Sequence, residues 1–595
     1  MNATPHSTGS ADPTESKLEL SVIVSSVNPV PTLTRAVNSL LEQDLPAAAY
    51  EVIVVVSGAD GNRVEYLRSL RPACSLHIIE ESNRGFGVAL NQAVAGARGS
   101  IVLFTNDDLT LHPGNFGAHL DAHRTSDSRV VSGPTLVEAD NDCPRMAQWA
   151  RENIDEKANR RDAGLTWQRD LRVSRNYSIA RARLLACGGF DDAFSWRAHD
   201  ELGVRLAKSG LVFFHDTKAI SGLVYAPTAE QMARIEARGR GKEEIPLLRK
   251  HPELRPHSAL ARFADSPSWR WVATQLVARF PISPDSVLRP AFALASSFQS
   301  KPWIRRVGLR LFRARYAVSF LRGAVESAGW PELQAEVGRR LPVFMYHHVG
   351  PPQPDSEPAL FVSAARFETH LRFLTRKGYR GIAASDWLSW VRDAKPLPEK
   401  SVLLTFDDAI ADLYDHAFPV LERYGFNAVV FVPTNCVSKG NLWNHSLGYK
   451  WRPCLSSEQI QYWAAKGFEF GAHSRNHPDL TKLNDAGLQD EIAGSRIDLE
   501  KIVRSPVICF AYPYGDHNSA AAQCVGQQFD LGFTTEEGLN TLGTDRSRLR
   551  RCAVFEWDSL LDLDLMLRLG WNPIRRLKIR QRFRGLKRRL RIGTH

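Results

Sequence analysis

SVLLTFDD, at residues 401–408, is a short apolar run that stops abruptly at two adjacent aspartates. Such a run, followed at once by reactive polar side chains, predicts a buried strand whose carboxyl end carries functional groups. Three other segments have the same arrangement, namely MYHHV (345–349), GAHSRNHP (471–478) and FAYPYG (510–515). Because the catalytic groups of a β/α barrel lie at the carboxyl ends of several strands, these four strand ends are expected to converge.

The polar residues at these strand ends are chemically consistent with one another. His473 and His477 lie four residues apart, and together with one aspartate they supply three metal ligands. Three protein ligands leave one coordination position open for water, which is typical of a catalytic rather than a structural metal site. A metal lowers the pKa of water bound to it, and a neighbouring carboxylate can remove the proton.

The same segments carry a family resemblance. TFDD (405–408), HSRNHP (473–478) and AYPYG (511–515) resemble the first three motifs of the polysaccharide deacetylase family, the NodB-homology group of carbohydrate esterase family 4. The resemblance implies a distorted (β/α) barrel, a Zn²⁺ or other divalent ion, and hydrolysis of an acetamide on an amino sugar.

The resemblance also implies a role for each motif residue. Asp407 corresponds to the general base, and the backbone N–H of Tyr514 would help to stabilise the tetrahedral oxyanion, an interaction typically worth a few kcal/mol. The implied metal ligands are Asp408, His473 and His477.

Two features depart from the usual family pattern. Ala511 stands where most members have an arginine that orients the base, and no Leu-x-His-Asp motif follows residue 540. Both absences recur in the poly-N-acetylglucosamine deacetylase branch, whose motif order is circularly permuted. In that branch the acid histidine lies on the first strand, which implies His347 here, with His348 as the alternative. Arg551 is a candidate substitute for the missing arginine.

The first part of the chain also alternates strands and helices. Apolar runs predict buried parallel strands at 21–27, 51–58, 75–81 and 100–108, with helical spacing over 32–43 and 86–97. Alternating βα units predict a doubly wound α/β sheet, whose ligand site lies beyond the carboxyl ends of the strands. A second β/α series begins at LPVFMYHHVG and continues through 401–408, 427–434, 468–474, 506–515 and 530–538.

Polar residues again follow a strand in this first series. Asn106-Asp107-Asp108 closes the run IVLF, and a carboxylate pair there can hold a divalent cation that neutralises a diphosphate leaving group. Farther along, an acidic residue in His199-Asp200-Glu201 opens a helical segment and could deprotonate an acceptor hydroxyl.

The order of these motifs resembles the family 2 glycosyltransferases of GT-A fold over residues 18–255. The matching motifs are Asn83-Arg84-Gly85, the NDD at 106–108, the GGFD at 188–191 and the ELGVRL at 201–206. The resemblance implies a nucleotide-sugar donor, here a UDP-sugar, with Mg²⁺ or Mn²⁺.

On the family pattern, Asp108 binds the metal and Asn106 replaces the first acidic residue of the DxD motif. Asp200 is the expected base, with Glu201 as its rival, because the usual Glu-Asp pair aligns only with a shift. The second strand ends in VVSGAD rather than in the acidic residues that hold the nucleoside, so Asp60 is expected to serve from a neighbouring position, with altered nucleotide binding as the alternative.

The bulk composition is that of an ordinary globular protein. A chain of 595 residues is too long for one core, and it is 43% hydrophobic and 24% charged. No stretch approaches the roughly 20 apolar residues of a membrane span, the start lacks signal-peptide features, and the eight cysteines show no CxxC spacing. A cytoplasmic location is therefore expected. The expected division is a disordered leader (1–17), the GT-A domain (18–255), a helical connector (256–340), the deacetylase domain (341–570) and a basic tail (571–595).

Much of the net charge of +11 comes from this tail. Basic residues interleaved with apolar ones are suited to the inner face of an anionic membrane, where each contributes about 1 kcal/mol. A solvated tail is the alternative, and no nucleic-acid fold signature accompanies it.

Together these patterns predict a bifunctional enzyme of surface-polysaccharide or glycolipid assembly, acting on a glycan or lipid-linked sugar acceptor. Two alternatives stay open. In one, only the deacetylase is active and the first domain is a nucleotide- or glycan-binding module. In the other, the chain is a non-catalytic scaffold anchored by its tail.

Overall fold

The computed structural model describes residues 18–58, 61–81, 85–137, 176–223, 235–265, 302–351, 360–441, 443, 451–573 and 575. The expected leader, Asp60, Asn83-Arg84 and the tail beyond residue 575 lie outside these ranges. The described residues form two compact units. The first runs to Lys250 and includes residues 302–329, and the second comprises 251–265 and the chain from Trp330 onward.

Twenty strands are described. In chain order they are β1 Leu20–Ser26, β2 Tyr50–Val56, β3 Ser75–Glu80, β4 Ile101–Asn106, β5 Leu109–Leu111, β6 Arg129–Ser132, β7 Thr135–Val137, β8 Tyr177–Ala180, β9 Val212–His215, β10 Ser221–Leu223, β11 Val343–Tyr346, β12 His348–Gly350, β13 Phe361–Ser363, β14 Arg380–Gly381, β15 Ser401–Phe406, β16 Ala428–Val432, β17 Glu469–Ala472, β18 Cys509–Ala511, β19 Leu531–Phe533 and β20 Cys552–Ala553.

The α-helices of the described residues alternate with these strands. They are α1 Val30–Leu41, α2 Gly61–Ser69, α3 Phe86–Gly96, α4 Asn115–Thr125, α5 Arg181–Ala186, α6 Ala198–Lys208, α7 Ala237–Lys250, α8 Ala259–Ala264, α9 Pro302–Ala328, α10 Trp330–Val337, α11 Ala364–Arg376, α12 Ala384–Asp393, α13 Asp412–His416, α14 Phe418–Tyr424, α15 Ser457–Ala465, α16 Asp485–Leu488, α17 Gly494–Val503, α18 Ser519–Gln528 and α19 Leu560–Leu569. None of them is both long and apolar enough to cross a bilayer.

The first unit is built on a seven-stranded sheet in the order β3-β2-β1-β4-β8-β6-β9. β1 to β4 are parallel, whereas β8 runs antiparallel to both of its neighbours. Every residue of β1 and β2 is buried, because helices cover both faces of a doubly wound sheet. The predicted doubly wound fold is therefore confirmed, and it places the NDD segment at the carboxyl edge of β4.

The second unit contains a parallel sheet in the order β19-β18-β17-β16-β15-β11-β20, with β14 also paired to β15. On the other side of β19 lies Leu549. Its N–H donates a hydrogen bond to Gly532 O, and its carbonyl oxygen accepts one from Thr534 N. The chain that leads from Leu549 into β20 thus pairs first with β19 and then with β11. This irregular closure gives the expected distorted barrel.

The described part of the expected connector is helical, but it is divided between the two units. Helix α9 belongs to the first unit, whereas α8 and α10 belong to the second. In the first unit α7 and α9 cross very closely, because a Cβ atom at Gly241 would lie only 1.9 Å from the carbonyl oxygen of Phe320. The expected domain boundaries stay predictions.

Candidate active sites

Three side chains of the second unit converge at the carboxyl edge of its sheet. Asp408 follows β15, and His473 and His477 follow β17. The Nε2 atom of His473 lies 3.6 Å from Asp408 Oδ1, and that of His477 lies 3.5 Å from it. In the part of the chain that the structure describes, this is the one group of three His, Cys, Asp or Glu residues whose ligand atoms lie within 4.8 Å of one another.

The electrostatics of this triad suit a cation. His473 uses Nδ1 to donate a hydrogen bond to Ala511 O at 2.8 Å, which leaves Nε2 available to a cation. Asp408 Oδ1 is buried and accepts no hydrogen bond. Burial, followed by repulsion from Asp407, raises the pKa of Asp408 to about 8. A buried carboxylate oxygen without a donor is stabilised when a positive ion lies beside it.

The loop between the two histidines is held in an unusual conformation. Ser474 and His477 have φ values of 60° and 59°, in the left-handed region. The N–H of His477 donates to Ser474 Oγ at 3.0 Å, and the N–H groups of Arg475 and Asn476 donate to Glu491 Oε2 at 2.8 and 3.0 Å. Glu491 lies in a π-helical turn, Gln489–Ala493. These contacts fix the direction of His477.

Asp407 is held by a buried arginine. Arg551 has no exposed side-chain surface and contacts the carboxylate with both terminal nitrogens, Nη1 to Oδ1 at 2.6 Å and Nη2 to Oδ2 at 2.9 Å. Burial by itself would raise the pKa of Asp407, but the charges of Arg551, His473 and His347, together with the hydrogen bonds from Arg551, outweigh it and lower that pKa to about 2. Asp407 is therefore ionised at neutral pH. The structure thus brings to the base the arginine considered as a substitute for the one missing at Ala511.

The two candidate acid histidines point to different partners. The Nε2 atom of His347 lies 4.0 Å from Asp407 Oδ2, whereas Nδ1 of His348 lies 3.3 Å from Asp412 Oδ2. Burial lowers the pKa of His347 to about 4, and the opposing attraction of Asp407 is smaller. His347 is thus the histidine that adjoins the expected base.

Aromatic rings surround the outer side of the triad. Tyr514 follows β18 with a φ of 59°, its side chain is 47% exposed, and its ring lies 4.6 Å from that of His477. Trp443 stacks on His477 with centroids 4.6 Å apart and planes at 21°. Sequence reasoning missed Trp443, because this residue is not part of any of the motifs.

The first unit places the NDD segment as expected, but its three residues differ in their surroundings. Asp107 is fully buried, and its carboxylate accepts the N–H groups of Val27 and Asn28 at 2.9 and 2.8 Å. Asp107 therefore secures the loop after β1. Asn106 ends β4 and Asp108 follows as a buried residue.

Both candidate bases of the first unit are engaged by cations. Asp200 Oδ2 accepts hydrogen bonds from Arg197 Nη1 at 2.8 Å and from Arg240 Nη2 at 2.7 Å. Glu201 is fully buried, and it pairs with Arg205 at 2.7 Å and with Lys250 at 2.6 Å. Arg240 and Lys250 both come from α7, which the sequence did not connect with this site.

The carboxyl ends of β1 and β2 are joined by an arginine. Arg63 donates to Ser26 O at 2.6 Å and to Ser57 O at 2.7 Å, and it is 4% exposed. Gly58 then has a φ of 82°, which a side chain would disfavour. Asp60 lies outside the described residues, so its expected nucleoside contact stays a prediction.

Comparisons with known proteins agree with this division. The profile of the polysaccharide deacetylase family matches residues 394–531, and that of glycosyl transferase family 2 matches residues 21–183. YxkH of Bacillus subtilis, whose name places it among the polysaccharide deacetylases, is 31% identical over 226 residues, which are 37% of this chain and 73% of YxkH.

Two further proteins are similar to the second unit. The poly-β-1,6-N-acetyl-D-glucosamine N-deacetylase of Staphylococcus epidermidis is 28% identical over 205 residues, covering 32% of this chain and 68% of that enzyme. A solved structure of the Streptococcus pyogenes deacetylase PplD in complex with acetate is 25% identical, covers 38% of this chain and 98% of that one, and has a TM-score of 0.34. The family matches and the similarity to YxkH show that the chain belongs to the polysaccharide deacetylase family and carries that domain behind a family 2 glycosyltransferase domain.

Proposed function

We propose that this chain is a bifunctional enzyme of surface-polysaccharide or glycolipid assembly. Its second unit hydrolyses the N-acetyl group of an amino sugar with the help of a divalent metal, and its first unit transfers a sugar from a nucleotide-sugar donor. The observation that carries the proposal is the meeting of Asp408, His473 and His477 beside an ionised Asp407.

The residues present fit a divalent ion. Asp408, His473 and His477 would hold it, since Asp408 Oδ1 lacks a hydrogen-bond donor and His473 keeps Nε2 available. One carboxylate and two imidazoles suit Zn²⁺ and several other first-row metals. Such an ion would supply Lewis acidity, which activates water and polarises an acetamide carbonyl.

Asp407 is the proposed general base. Its ionised carboxylate accepts a proton from the attacking water, and the two hydrogen bonds from Arg551 fix its orientation. The water oxygen bonds to the acetamide carbon, the carbon–nitrogen bond breaks, and acetate leaves. The backbone N–H of Tyr514 is proposed to stabilise the oxyanion of this tetrahedral intermediate.

His347 is the proposed general acid, which gives a proton to the departing amine. With a pKa of about 4 it is neutral at pH 7, so it must gain a proton before it can donate one. Asp407, which collects the proton of the water, lies 4.0 Å away, so the proton would pass to His347 through one bridging water or after a small movement of either side chain. His348 is less suited to this role because it faces Asp412.

The proposed substrate is a polymer or lipid-linked glycan that contains N-acetylglucosamine. Support comes from the similar Staphylococcus enzyme, which is named for poly-β-1,6-N-acetyl-D-glucosamine. The proposed donor of the first unit is a UDP-sugar held with Mg²⁺ or Mn²⁺ at Asp108 and Asn106. Since nucleotide sugars are cytosolic, we propose a cytoplasmic enzyme whose basic tail binds the anionic inner face of the plasma membrane.

A second candidate function is a deacetylase whose first unit binds nucleotide or glycan without transferring a sugar. The observation that favours it is the ion pairing of both candidate bases, Asp200 with two arginines and Glu201 with Arg205 and Lys250. Each carboxylate is thus held between two cationic side chains, as it would be in a purely structural ion pair. Sugar transfer that is lost in Asp108→Ala while acetate release persists would exclude this candidate.

Acetate release tests the proposed hydrolysis. Metal-loaded protein would be incubated with β-1,6-linked N-acetylglucosamine oligomers and with other N-acetylated glycans, alongside Asp407→Asn, which keeps the shape of the side chain but removes its charge. Acetate from the wild type and a loss of at least a hundredfold in the variant are expected. The proposal is wrong if the metal-loaded wild type releases no acetate from any glycan of the panel.

A further inference from the structure

The turn after β20 presents an exposed tryptophan on a stack of aromatic and cationic groups. Trp557 is 58% exposed, and its ring stacks on that of Phe555 with centroids 5.0 Å apart and planes at 18°. The guanidinium of Arg575 lies over Phe555, 4.3 Å from the ring centroid. Because only one face of the indole can contact Phe555, the opposite face accounts for much of the exposed surface.

This turn is held firmly. Asp558 is buried and accepts hydrogen bonds from the N–H of Phe555 at 3.0 Å and from Arg575 Nη2 at 2.7 Å. The carboxylate of Glu556 accepts the N–H and the hydroxyl of Ser363 at 2.7 and 3.0 Å. The residues on either side of Trp557, Glu556 and Asp558, are thus both fixed by hydrogen bonds. A preorganised aromatic surface loses little entropy when a ligand binds to it.

The turn lies next to the proposed catalytic edge. β20 pairs with β11 in parallel, with Ala553 opposite Met345, and Val554 N donates to Met345 O at 3.0 Å. Two residues farther along each strand stand Phe555 and His347. Neighbouring strands are about 4.8 Å apart, so the aromatic turn begins at the same edge of the sheet as the histidine that adjoins Asp407.

We propose that Trp557 forms a sugar-binding subsite, which stacks against the pyranose ring next to the one that is deacetylated. A pyranose ring has a flat face of C–H groups that packs well on an indole, while its hydroxyl groups stay in water. Firmly held, exposed aromatic side chains with one wet edge are favoured at binding sites for such amphipathic partners. The proposal rests on the proposed function of the second unit and adds the direction in which the glycan extends, from the catalytic residues toward β20.

Kinetics on oligomers of different length test the subsite. For Trp557→Ala, the KM for a β-1,6-linked N-acetylglucosamine hexamer is expected to rise roughly fivefold to tenfold, with a change in kcat of less than about twofold. The KM for the dimer should change less, since the dimer fills fewer subsites. Trp557→Phe should recover most of the affinity. Tyr462→Ala, at a 49% exposed tyrosine near the carboxyl end of α15, is the matched control and should leave both constants unchanged.

Direct binding separates this proposal from the proposed function. The hexamer would be titrated into the wild type and Trp557→Ala by calorimetry, with Tm measured to show that both are folded. A weaker Kd in the variant supports the subsite even if no acetate is released, an outcome that would overturn only the proposed hydrolysis. An unchanged Kd overturns the subsite.

Exposed leucines near the turn suggest one further outcome. Leu560 and Leu561 are 37% and 59% exposed, so contact with lipid is the competing role for the same surface. Unchanged hexamer binding by Trp557→Ala, together with weaker sedimentation on phosphatidylglycerol vesicles, would assign Trp557 to a membrane surface and overturn the sugar subsite.

Discussion

At the scale of single residues, the proposed chemistry depends on a buried charge pair. Asp407 and Arg551 are almost fully buried, at 3% and 0% exposure. Removing one partner of such a pair leaves the other charge without compensation, which typically costs 3–5 kcal/mol. The pair therefore contributes to folding stability as well as to the orientation of the base.

Arg551→Met is expected to destabilise the protein by about 3–5 kcal/mol and to lower acetate release by at least about a hundredfold. Without the arginine, the pKa of Asp407 rises and its carboxylate loses its fixed orientation. Arg550→Met is the matched control, because Arg550 is the preceding residue and pairs with Asp265 in a partly exposed ion pair. Chemical denaturation would measure stability. Combining Arg551→Met with Asp407→Asn should recover part of the lost stability, and additive losses would contradict the pairing.

Glu491→Gln is expected to weaken metal retention roughly tenfold or more, because groups that orient metal ligands typically have effects of this size. The charged acceptor for the N–H groups of Arg475 and Asn476 becomes a weaker one, so His477 is held less firmly. Competition with a chelator would measure the affinity. Glu458→Gln, at an exposed helix start, is the control, and equal affinities in both variants would contradict the positioning role.

At the scale of elements, close helix packing shapes the first unit. A Cβ atom at Gly323 of α9 would lie 2.0 Å from the carbonyl oxygen of Arg238 in α7. Helix α7 also supplies Arg240 and Lys250, which contact the candidate bases. The spacing of α7 and α9 therefore bears on the geometry around Asp200.

Gly323→Val is expected to destabilise the first unit by several kcal/mol, because backbone atoms of α7 cannot move aside as a side chain can. Arg313→Val, at an exposed position of the same helix, controls for the lower helix propensity of valine. Thermal unfolding would compare the two. Similar small changes in Tm for both variants would show that the helices are not packed this closely.

Helix α4 carries two buried histidines whose titration opposes folding in acid. His119 contacts Ser178 Oγ at 2.8 Å and Asn176 Oδ1 at 3.0 Å, and His123 contacts the same hydroxyl at 2.9 Å. Burial lowers the pKa of each to about 4. Between pH 6.5 and 4 the unfolded chain binds protons that the folded chain does not, so stability falls as the pH falls.

His119→Gln is expected to reduce the loss of stability between pH 6.5 and 4, by up to about 3 kcal/mol for a shift of this size. Glutamine can still bond with Ser178 and Asn176 but does not titrate. The free energy of unfolding of the full chain would be measured across this range. If wild type and variant lose stability in parallel, His119 does not titrate as described.

The strand ends that carry function could be predicted from the sequence, whereas of the partners of their residues only Arg551 was named, and only as a candidate. Buried parallel strands are continuous apolar runs in the sequence. The pattern therefore predicted β15 and β17, and with them the polar residues that follow each strand. Arg551 lies 144 positions from Asp407, and its pairing is set by how the chain closes the barrel. Likewise, the contacts of Asp200 with α7 depend on tertiary packing that no local pattern encodes.

At the scale of the whole molecule, the chain joins two enzyme-family units, each with polar residues at the carboxyl ends of parallel strands. The two sites differ in how close their candidate catalytic residues lie to one another. In the second unit metal ligands, base and acid candidates lie within a few ångströms of one another. In the described residues of the first unit, the candidate bases are instead bound to arginine and lysine side chains. The arrangement of residues therefore supports the proposed function of the deacetylase unit more strongly than that of the first unit.

The metal content of the purified chain tests the central claim most directly. After loading with Zn²⁺ and removal of loosely bound ions, elemental analysis of the wild type should find about one tightly held ion per chain, and His473→Ala should lose it while keeping its fold. Equal metal content in wild type and His473→Ala, or none in either, would contradict the assignment of Asp408, His473 and His477 as a metal site.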